Sequence, residues 1–375
     1  MWLWQQQDWP NFTWRQSELQ SRLWELQFRL GILLGSSEVS GDEEHALDIL
    51  LANLIASSAI EDERLNAQSI RSSLAKRLGI SDRRPYPVSE KSEGFANMLF
   101  DALGADGLDR PLTQARLLGW HHELFAHENR LLGQSIVPGT LRGDALMQVV
   151  SGRTDKPTIH FEAPPRAGLE DELKTFIQWF NASRKDLSVD PLLRAGLAHL
   201  WFVTLHPLED GNGRITRLLT DMALAQADGK TIRCYAMSVT ILARRKEYYE
   251  ALQAAQRGTM DITDWLSWFI DTLAAAVAGA QRKVDRTVAK ARFWQLNRDQ
   301  DFRPEQVKVL NRLLDGGDNG FEDGISASKY SAVTGASRAT ATRHLAELVE
   351  RGCLIQGEGG GRSVRYQLVQ DDKKR

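Results

Sequence analysis

Residues 206–217 read HPLEDGNGRITR and lie between two segments with helical periodicity. Gly211 and Gly213 would allow backbone N–H groups to approach an anion closely, because neither residue has a side chain. The helix that begins near Arg214 would add the positive end of its dipole at the same place. A glycine-containing turn followed by a helix start is typical of a phosphate-binding loop.

The charged side chains of this stretch predict chemistry on a phosphate. Arg214 and Arg217 are three residues apart on the predicted helix, so they face one side and can bind two phosphate oxygens. Asp210 is a hard oxygen ligand suited to Mg²⁺, which usually bridges phosphates and keeps several waters. His206 is suited to take a proton near neutral pH. The stretch therefore predicts transfer of a phosphoryl-type group to a hydroxyl.

The same residues resemble the signature of the Fic family, HxFx(D/E)GNGRxxR. Leu208 stands where the signature has Phe, and we expect this difference to alter loop packing more than chemistry. The resemblance implies a mainly α fold, a helical Fic core with a β-hairpin flap. It also implies transfer of AMP from ATP to a Ser, Thr or Tyr hydroxyl of a target protein or of the chain itself.

The resemblance further assigns a role to each residue of the motif. His206 would be the catalytic base and Asp210 would hold Mg²⁺. The phosphates of ATP would be bound by Gly211, Asn212, Gly213, Arg214 and Arg217, with Arg214 on the β-phosphate and Arg217 on the γ-phosphate. Members of the family that transfer phosphate carry Lys at the position of Gly213, so the glycine favours adenylylation. No residue of the loop is suited to recognise the nucleobase, so transfer of a nucleotide other than AMP is an alternative.

Two further segments are similar to parts of the same family. Val149-Val150 and residues 158–161 are short β-type runs that predict a hairpin, and this hairpin resembles the Fic flap, whose edge strand aligns the target. Residues 245–252, RKEYYEAL, resemble the segment beside the adenine pocket. The resemblance implies that Tyr248 and Tyr249 contact the nucleotide, and core packing is the alternative for both rings.

A second motif lies at the end of the second predicted helix. Residues 57–62, SSAIED, resemble the inhibitory motif (S/T)xxxE(G/N), with Ser57 and Glu61 in place and Asp62 where the family has Gly or Asn. The resemblance implies that Glu61 binds Arg217 and so denies this guanidinium to the γ-phosphate. A solvated charge at a helix end is the alternative. Some family members remove AMP with this glutamate, so deAMPylation is a second candidate activity.

Length and periodicity predict more than one domain. The chain has 375 residues, 42% of them hydrophobic, and a formal net charge of −2, which is typical of packed globular domains. The pattern predicts an N-terminal helical extension with the inhibitory helix over 1–88, a Fic domain over 89–290 and a winged helix over 291–375. We expect the tryptophans of the first fourteen residues to serve helix packing or a homodimer contact.

The C-terminal segment introduces a second class of function. Residues 337–351 carry the small, hydroxyl and basic side chains of a DNA recognition helix, and Arg362 and Arg365 would lie on the wing. A DNA-binding regulator that uses the Fic core as a nucleotide sensor is therefore the competing hypothesis, although a sensor has no use for His206. Protein docking or dimerisation is the alternative for this domain.

The remaining composition predicts the setting in which the protein works. No run approaches the roughly 18 apolar residues of a membrane span, and the first residues lack the basic start of a secretory signal. We therefore expect a cytoplasmic protein with no membrane partner. Cys234 and Cys353 are far apart and form no CxxC motif, so the sequence predicts neither a disulfide nor a zinc site.

Overall fold

The computed structural model consists of two compact units, Met1–Ala280 and Gln281–Arg375. None of its helices is both long and apolar enough to cross a membrane, within the residues that are described. Several predicted features lie outside those residues: the linker at 39–42, the turn of the hairpin, the wing glycines after Gly357, Arg362 and the C-terminal tail. The described residues are 1–38, 43–80, 85–126, 136–153, 156–229, 234–316, 321, 324–357 and 364–369.

The mainly helical fold class is confirmed. The first helix runs through Gly35, and a seven-residue helix at 237–243 is too short for its periodicity to be recognised in the sequence. Ser36 Oγ donates to the carbonyl of Ile32 at 2.8 Å, so its polar hydroxyl has a partner within the first helix. The helices are α1 Gln16–Glu38, α2 Glu43–Ile60, α3 Ala67–Leu78, α4 Glu90–Leu103, α5 Ala105–Asp109, α6 Gln114–Phe125, α7 Leu169–Ala182, α8 Pro191–Leu205, α9 Asn212–Asp228, α10 Met237–Ala243, α11 Arg245–Gln256 and α12 Thr263–Leu296.

Helices α8 and α9 form the centre of the first unit. All residues of α8 after Pro191 are buried. The Asp190 carboxylate caps this helix by accepting the N–H of Leu192 at 2.8 Å, and Pro191 supplies a preset first turn. Gly196 allows α12 to approach, since a Cβ there would lie 3.0 Å from Leu266 Cδ2. The helix that leads into the 206–217 loop is therefore fixed on all sides.

A β-hairpin is present within the first, helical unit, as predicted. Its strands β1 Gln148–Arg153 and β2 Lys156–Glu162 pair antiparallel, with an irregularity in register between Val149 and Val150. The strands run further than predicted, because the sequence suggested a loop over 151–157 whereas Gly152 pairs with Pro157. Both strands of a two-stranded ribbon are edges, so a proline that cannot donate to a ladder is tolerated there.

The N-terminal tryptophans pack inside the first unit, against the hairpin. The ring of Trp2 lies 5.4 Å from that of Phe161 in an edge contact. Trp4 Nε1 donates to the carbonyl of Glu162 at 2.7 Å, at the end of β2. Arg257 covers the Trp2 ring at 5.0 Å and donates to the carbonyl of Ile159 at 2.9 Å. The aromatic start of the chain therefore supports the second strand of the hairpin. It also packs on helices as expected, because Trp9 Nε1 donates to Glu172 Oε2 of α7 at 2.9 Å and the Trp9 ring lies 6.2 Å from Trp201 of α8.

The second unit has a core of its own. Its elements are α13 Pro304–Asp315, α14 Ala327–Thr334, α15 Arg338–Glu350, β3 Leu354–Gln356 and β4 Tyr366–Leu368. The two strands pair antiparallel, and Ile325 forms an isolated bridge to Tyr366. Tyr330 and His344 are joined by a hydrogen bond of 2.8 Å between the hydroxyl and Nδ1 inside this core. The winged-helix interpretation stays a prediction.

Candidate active site

The loop between α8 and α9 begins and ends in the left-handed region of backbone space. His206 has φ of 48° and Gly211 has φ of 79°. Between them the side chain of Asn212 closes the turn, because Oδ1 accepts the N–H of Leu208 at 3.0 Å and Nδ2 donates to its carbonyl at 2.8 Å. Leu208 is only 1% exposed and packs beneath the loop. The amide of Asn212 is therefore committed to the loop, which leaves its backbone N–H to face an anion.

Arg142 holds the same loop from the side of the hairpin. Its Nε donates to the carbonyl of His206 at 2.9 Å, and its backbone N–H donates to the carbonyl of Pro207 at 3.0 Å. Its Nη2 donates to the carbonyl of Pro164 at 2.6 Å. The sequence analysis did not predict this residue as part of the site, because a buried arginine bound to carbonyls has no local sequence signal.

His206 presents one ring nitrogen to the cavity. Its Nδ1 lies 3.1 Å from the carbonyl of Val203, which can only accept, so Nδ1 carries the proton and Nε2 is left with its lone pair. Burial lowers the pKa of His206 below its ordinary value. The imidazole is therefore neutral near pH 7, which is the state that a general base requires.

The first turn of α9 forms the anion-binding end of the site. In the first backbone hydrogen bond of this helix, the N–H of Ile215 donates to the carbonyl of Gly211 at 3.0 Å. The three preceding N–H groups, those of Asn212, Gly213 and Arg214, therefore have no partner within the helix. A carboxylate lies on this turn, since a Cβ on Gly213 would be only 2.1 Å from Glu61 Oε1. The turn thus accommodates a negatively charged group.

Ser57, Glu61 and Arg217 come together as the inhibitory motif predicts. Arg217 is 2% exposed, and its Nε donates to Ser57 Oγ at 2.8 Å. Its Nη2 donates to the carbonyl of Ser57 and to Glu61 Oε1, both at 2.8 Å. Burial disfavours the charged guanidinium, but the Glu61 carboxylate together with the hydroxyls of Tyr248 and Tyr249 favours it, and the pKa of Arg217 is raised. Nε and Nη2 of Arg217 are therefore occupied by Ser57 and Glu61 at the end of α2.

Arg214 has different partners. It is 6% exposed, lies 4.9 Å above the ring of Phe125, and donates from Nη1 to Glu63 Oε2 at 2.7 Å. Its Nη2 is 3.6 Å from Asp210 Oδ2. The other oxygen of Glu63 is 2.6 Å from Lys91 Nζ. Glu63 is a site residue that the sequence analysis missed, because its contact with Arg214 spans about 150 residues of chain.

Asp210 is the residue that could hold a metal ion. Its side chain is 58% exposed, and Oδ1 accepts the N–H of Gly211 at 2.5 Å. Within the described ranges, no three His, Cys, Asp or Glu side chains form a metal cluster. One exposed carboxylate beside an anion-binding turn fits Mg²⁺, which is commonly held by a single carboxylate together with phosphates and water.

The two predicted tyrosines line a cavity of about 550 Å³ next to His206. Tyr248 is 1% exposed, and its hydroxyl donates to His199 Nε2 at 3.0 Å. Tyr249 is half-buried and its hydroxyl donates to the carbonyl of Ile60 at 3.1 Å. Tyr248 is therefore packed in the core and also lines the cavity. Tyr249 connects α11 to the end of α2 through its hydrogen bond.

The backbone conformation of Asp62 explains why the inhibitory motif has Gly or Asn at this position. Its φ of 59° lies in the left-handed region, which Gly adopts freely and which, among the other residues, Asn and Asp adopt most readily. Its carboxylate accepts two hydrogen bonds of 2.7 Å from Arg245. These hydrogen bonds lower the pKa of Asp62 and attach the residue after Glu61 to α11.

Comparison with known proteins finds similarity to the Fic/DOC family in one part of the chain. Residues 111–224 match the family model described as the Fic/DOC family, and residues 2–80 match one described as a domain of unknown function, DUF4172. A crystal structure of a Fic family protein from Desulfovibrio desulfuricans is 18% identical, with a TM-score of 0.53, and the match covers 96% of this chain and 98% of that one. This likeness concerns the fold, and it agrees with the helical architecture and its hairpin.

Two curated relatives match parts of the chain. A protein adenylyltransferase of Caenorhabditis elegans is 32% identical over 90 residues, which are 24% of this chain and 16% of the relative. A probable protein adenylyltransferase of Aquifex aeolicus is 24% identical over 144 residues, 38% of this chain and 39% of the relative. The chain thus spans less than half the length of these relatives.

Proposed function

We propose that the chain is a protein adenylyltransferase that transfers AMP from ATP to a Ser, Thr or Tyr hydroxyl on a target protein or on itself. The observation that carries this proposal is the convergence of His206 and the first turn of α9 on one cavity, with two buried arginines, Arg214 and Arg217, on the same helix. The names of the partly matching relatives support the same activity.

In this reaction, His206 Nε2 removes the proton of the target hydroxyl. The hydroxyl oxygen then forms a bond to the α-phosphorus while the bond from that phosphorus to the β-phosphate bridging oxygen breaks, and pyrophosphate leaves. The N–H groups at the start of α9 hold the phosphates, Arg214 binds the β-phosphate and Arg217 the γ-phosphate. Asp210 would hold Mg²⁺, which when bound neutralises part of the phosphate charge.

The hairpin supplies a surface for the target. Val149 and Val150 are 38% and 50% exposed, and both line the cavity that contains His206. An extended target segment can add to this two-stranded sheet through main-chain hydrogen bonds. The segment would then pass its hydroxyl over His206.

We further propose that Glu61 inhibits the enzyme. Its carboxylate lies on the first turn of α9 and binds Nη2 of Arg217, so it competes with phosphate for both. ATP would then bind weakly or with its α-phosphate out of line. The inhibition would be relieved when Glu61 leaves Arg217.

Intact-mass spectrometry of the Glu61→Gly variant with ATP and Mg²⁺ tests both proposals. We expect a mass gain of one AMP, at a rate at least about tenfold above the parent because a charge-assisted contact to Arg217 is removed. The same variant carrying His206→Ala is the control and should gain no mass.

Two outcomes would contradict these proposals. Equal rates for Glu61→Gly and the parent would exclude inhibition by Glu61. A mass gain that persists without His206 would exclude its role as the base. Parallel reactions with GTP, CTP and UTP determine which nucleotide is used, and incubation of the AMP-modified product with the parent tests for deAMPylation.

A further inference from the structure

We infer that Glu63 positions Arg214 for its phosphate. It does so within a row of four charged side chains that runs from Lys91 on α4 to Asp210, the carboxylate that would hold the metal ion. Lys91 Nζ is 2.6 Å from Glu63 Oε1, Glu63 Oε2 is 2.7 Å from Arg214 Nη1, and Arg214 Nη2 is 3.6 Å from Asp210 Oδ2. Positive and negative charges alternate along this row of side chains, so each group stabilises its neighbours electrostatically. This inference rests on the proposed function.

The contact of Glu63 with Arg214 differs from that of Glu61 with Arg217. On Arg217, both Nε and Nη2 are bonded to the end of α2. On Arg214, Glu63 takes only Nη1. Within the described part of the chain, Nε of Arg214 and Nη1 of Arg217 have no hydrogen-bond partner. The end of α2 thus holds two nitrogens of Arg217, whereas Glu63 holds one nitrogen of Arg214.

The charge of Glu63 is also shared. Its second oxygen pairs with Lys91, so this carboxylate faces two cations, and together with Asp210 the four groups balance in charge. Glu63 is 18% exposed in its side chain, and its backbone N–H donates to the carbonyl of Ser58 at 3.0 Å. It therefore orients Arg214 from a fixed turn.

This arrangement limits how inhibition can be relieved. Glu61 and Glu63 belong to one turn, and each contacts a different arginine of α9. A displacement of the whole turn would free Arg217 but would also remove the support of Arg214. We therefore expect relief by rotation of the Glu61 side chain, with the turn and the Glu63 contact retained.

The inference is tested by measuring the affinity for ADP and for AMP by calorimetry. The two proteins compared are the Glu61→Gly variant and the double variant that also carries Glu63→Gln. We expect the second change to weaken ADP binding about tenfold, because the charge-assisted contact that orients Arg214 is lost. AMP binding should not change, since AMP has no β-phosphate. In the adenylylation assay, KM for ATP should rise about tenfold while kcat stays within about twofold. Glu93→Gln is the matched control, because Glu93 also lies on a charged contact of α4, 3.6 Å from Arg77.

The inference is wrong if ADP affinity is unchanged, or if ADP and AMP affinities fall together, which would indicate a general structural role. It is also wrong if Glu63→Gln activates the parent as Glu61→Gly does, because Glu63 would then be a second inhibitory residue. Lys91→Met, which should weaken ADP binding in the same direction by a smaller factor, replaces Glu63→Gln if that variant does not fold. Failure of the proposed function would show separately, as absence of AMP transfer with ADP binding intact.

Discussion

His206 combines two properties that a general base needs, and each has a separate structural cause. The carbonyl of Val203 fixes the proton on Nδ1, so the lone pair of Nε2 lines the cavity. Burial disfavours the imidazolium, which lowers the pKa of His206, while the carboxylate of Glu61 raises it in part. Removal of Glu61 therefore lowers the pKa of His206 further.

The first prediction at this scale concerns pH. His206 acts as a base only when neutral, so activity is lost as pH falls through its pKa, which lies below the ordinary 6.5. We expect the rate of AMP transfer by Glu61→Gly to be constant from about pH 8 down to about 6.5 and then to decline. The measurement is the single-turnover rate against pH, with ADP binding across the same range as the control. A midpoint above pH 7 would show that another group is the base.

The candidate residues of the 206–217 loop could be named from sequence, because all of them lie within one local pattern. In the structure His206, Asp210 and Gly213 line a single cavity, and Arg214 and Arg217 are buried on the helix that follows. Arg142 and Glu63 could not be predicted, since their importance arises from contacts to residues 64 and 151 positions away. The left-handed φ of Asp62 accounts for the Gly or Asn of the motif, a reason that is visible only in backbone geometry.

At the scale of elements, the hairpin depends on the first residues of the chain. Trp2 packs on Phe161, and Phe161 lies 6.1 Å from the His206 ring. Trp4 donates to the last residue of β2. The position of the hairpin over the cavity is therefore coupled to an N-terminal segment whose sequence shows no chemistry of its own.

Replacement of Trp4 by Phe, in the Glu61→Gly background, tests this coupling. Phe keeps an aromatic ring but loses the N–H that bonds to Glu162, which should weaken the support of β2 by about 1 kcal/mol. We expect AMP transfer to the protein hydroxyl to slow about fivefold, with KM for ATP unchanged. Trp14→Phe is the matched control, because the Trp14 indole bonds to nearby Gln16 instead. Equal effects of the two changes would show that Trp4 does not support the hairpin.

Helices with a long apolar period were predicted well, and short elements were not. The apolar period before the 206–217 loop corresponds to α8, whose buried residues cover four turns and whose start is marked by Pro191. Periodicity did not reveal α10, whose seven residues make two turns. The strands of the hairpin extend into residues that look like a loop, because Gly152 and Pro157 face each other in the ladder.

At the scale of the whole chain, charge is divided unevenly. The formal net charge is −2, yet basic side chains outnumber acidic ones in residues 281–375 and the reverse holds for residues 1–280. The second unit therefore has an electrostatic character that the total conceals. The excess of basic side chains in residues 281–375 is a reason to test the DNA binding that the sequence predicts for this unit.

Helix α15 provides the test. Arg338, Thr342 and Arg343 are exposed on it, whereas Leu345 and Leu348 face the core of the second unit. If this face contacts phosphates, the change of Arg338 and Arg343 to Ala should weaken binding of the full chain to a DNA duplex about tenfold. It should also reduce the dependence of log affinity on log salt by about 2, at roughly 0.9 per phosphate contact. Fluorescence anisotropy at several salt concentrations measures both, with Arg298→Ala as the control because Arg298 is an exposed arginine outside α15. An unchanged salt slope, or no binding by the parent at low salt, would contradict the prediction and leave protein docking as the role of this unit.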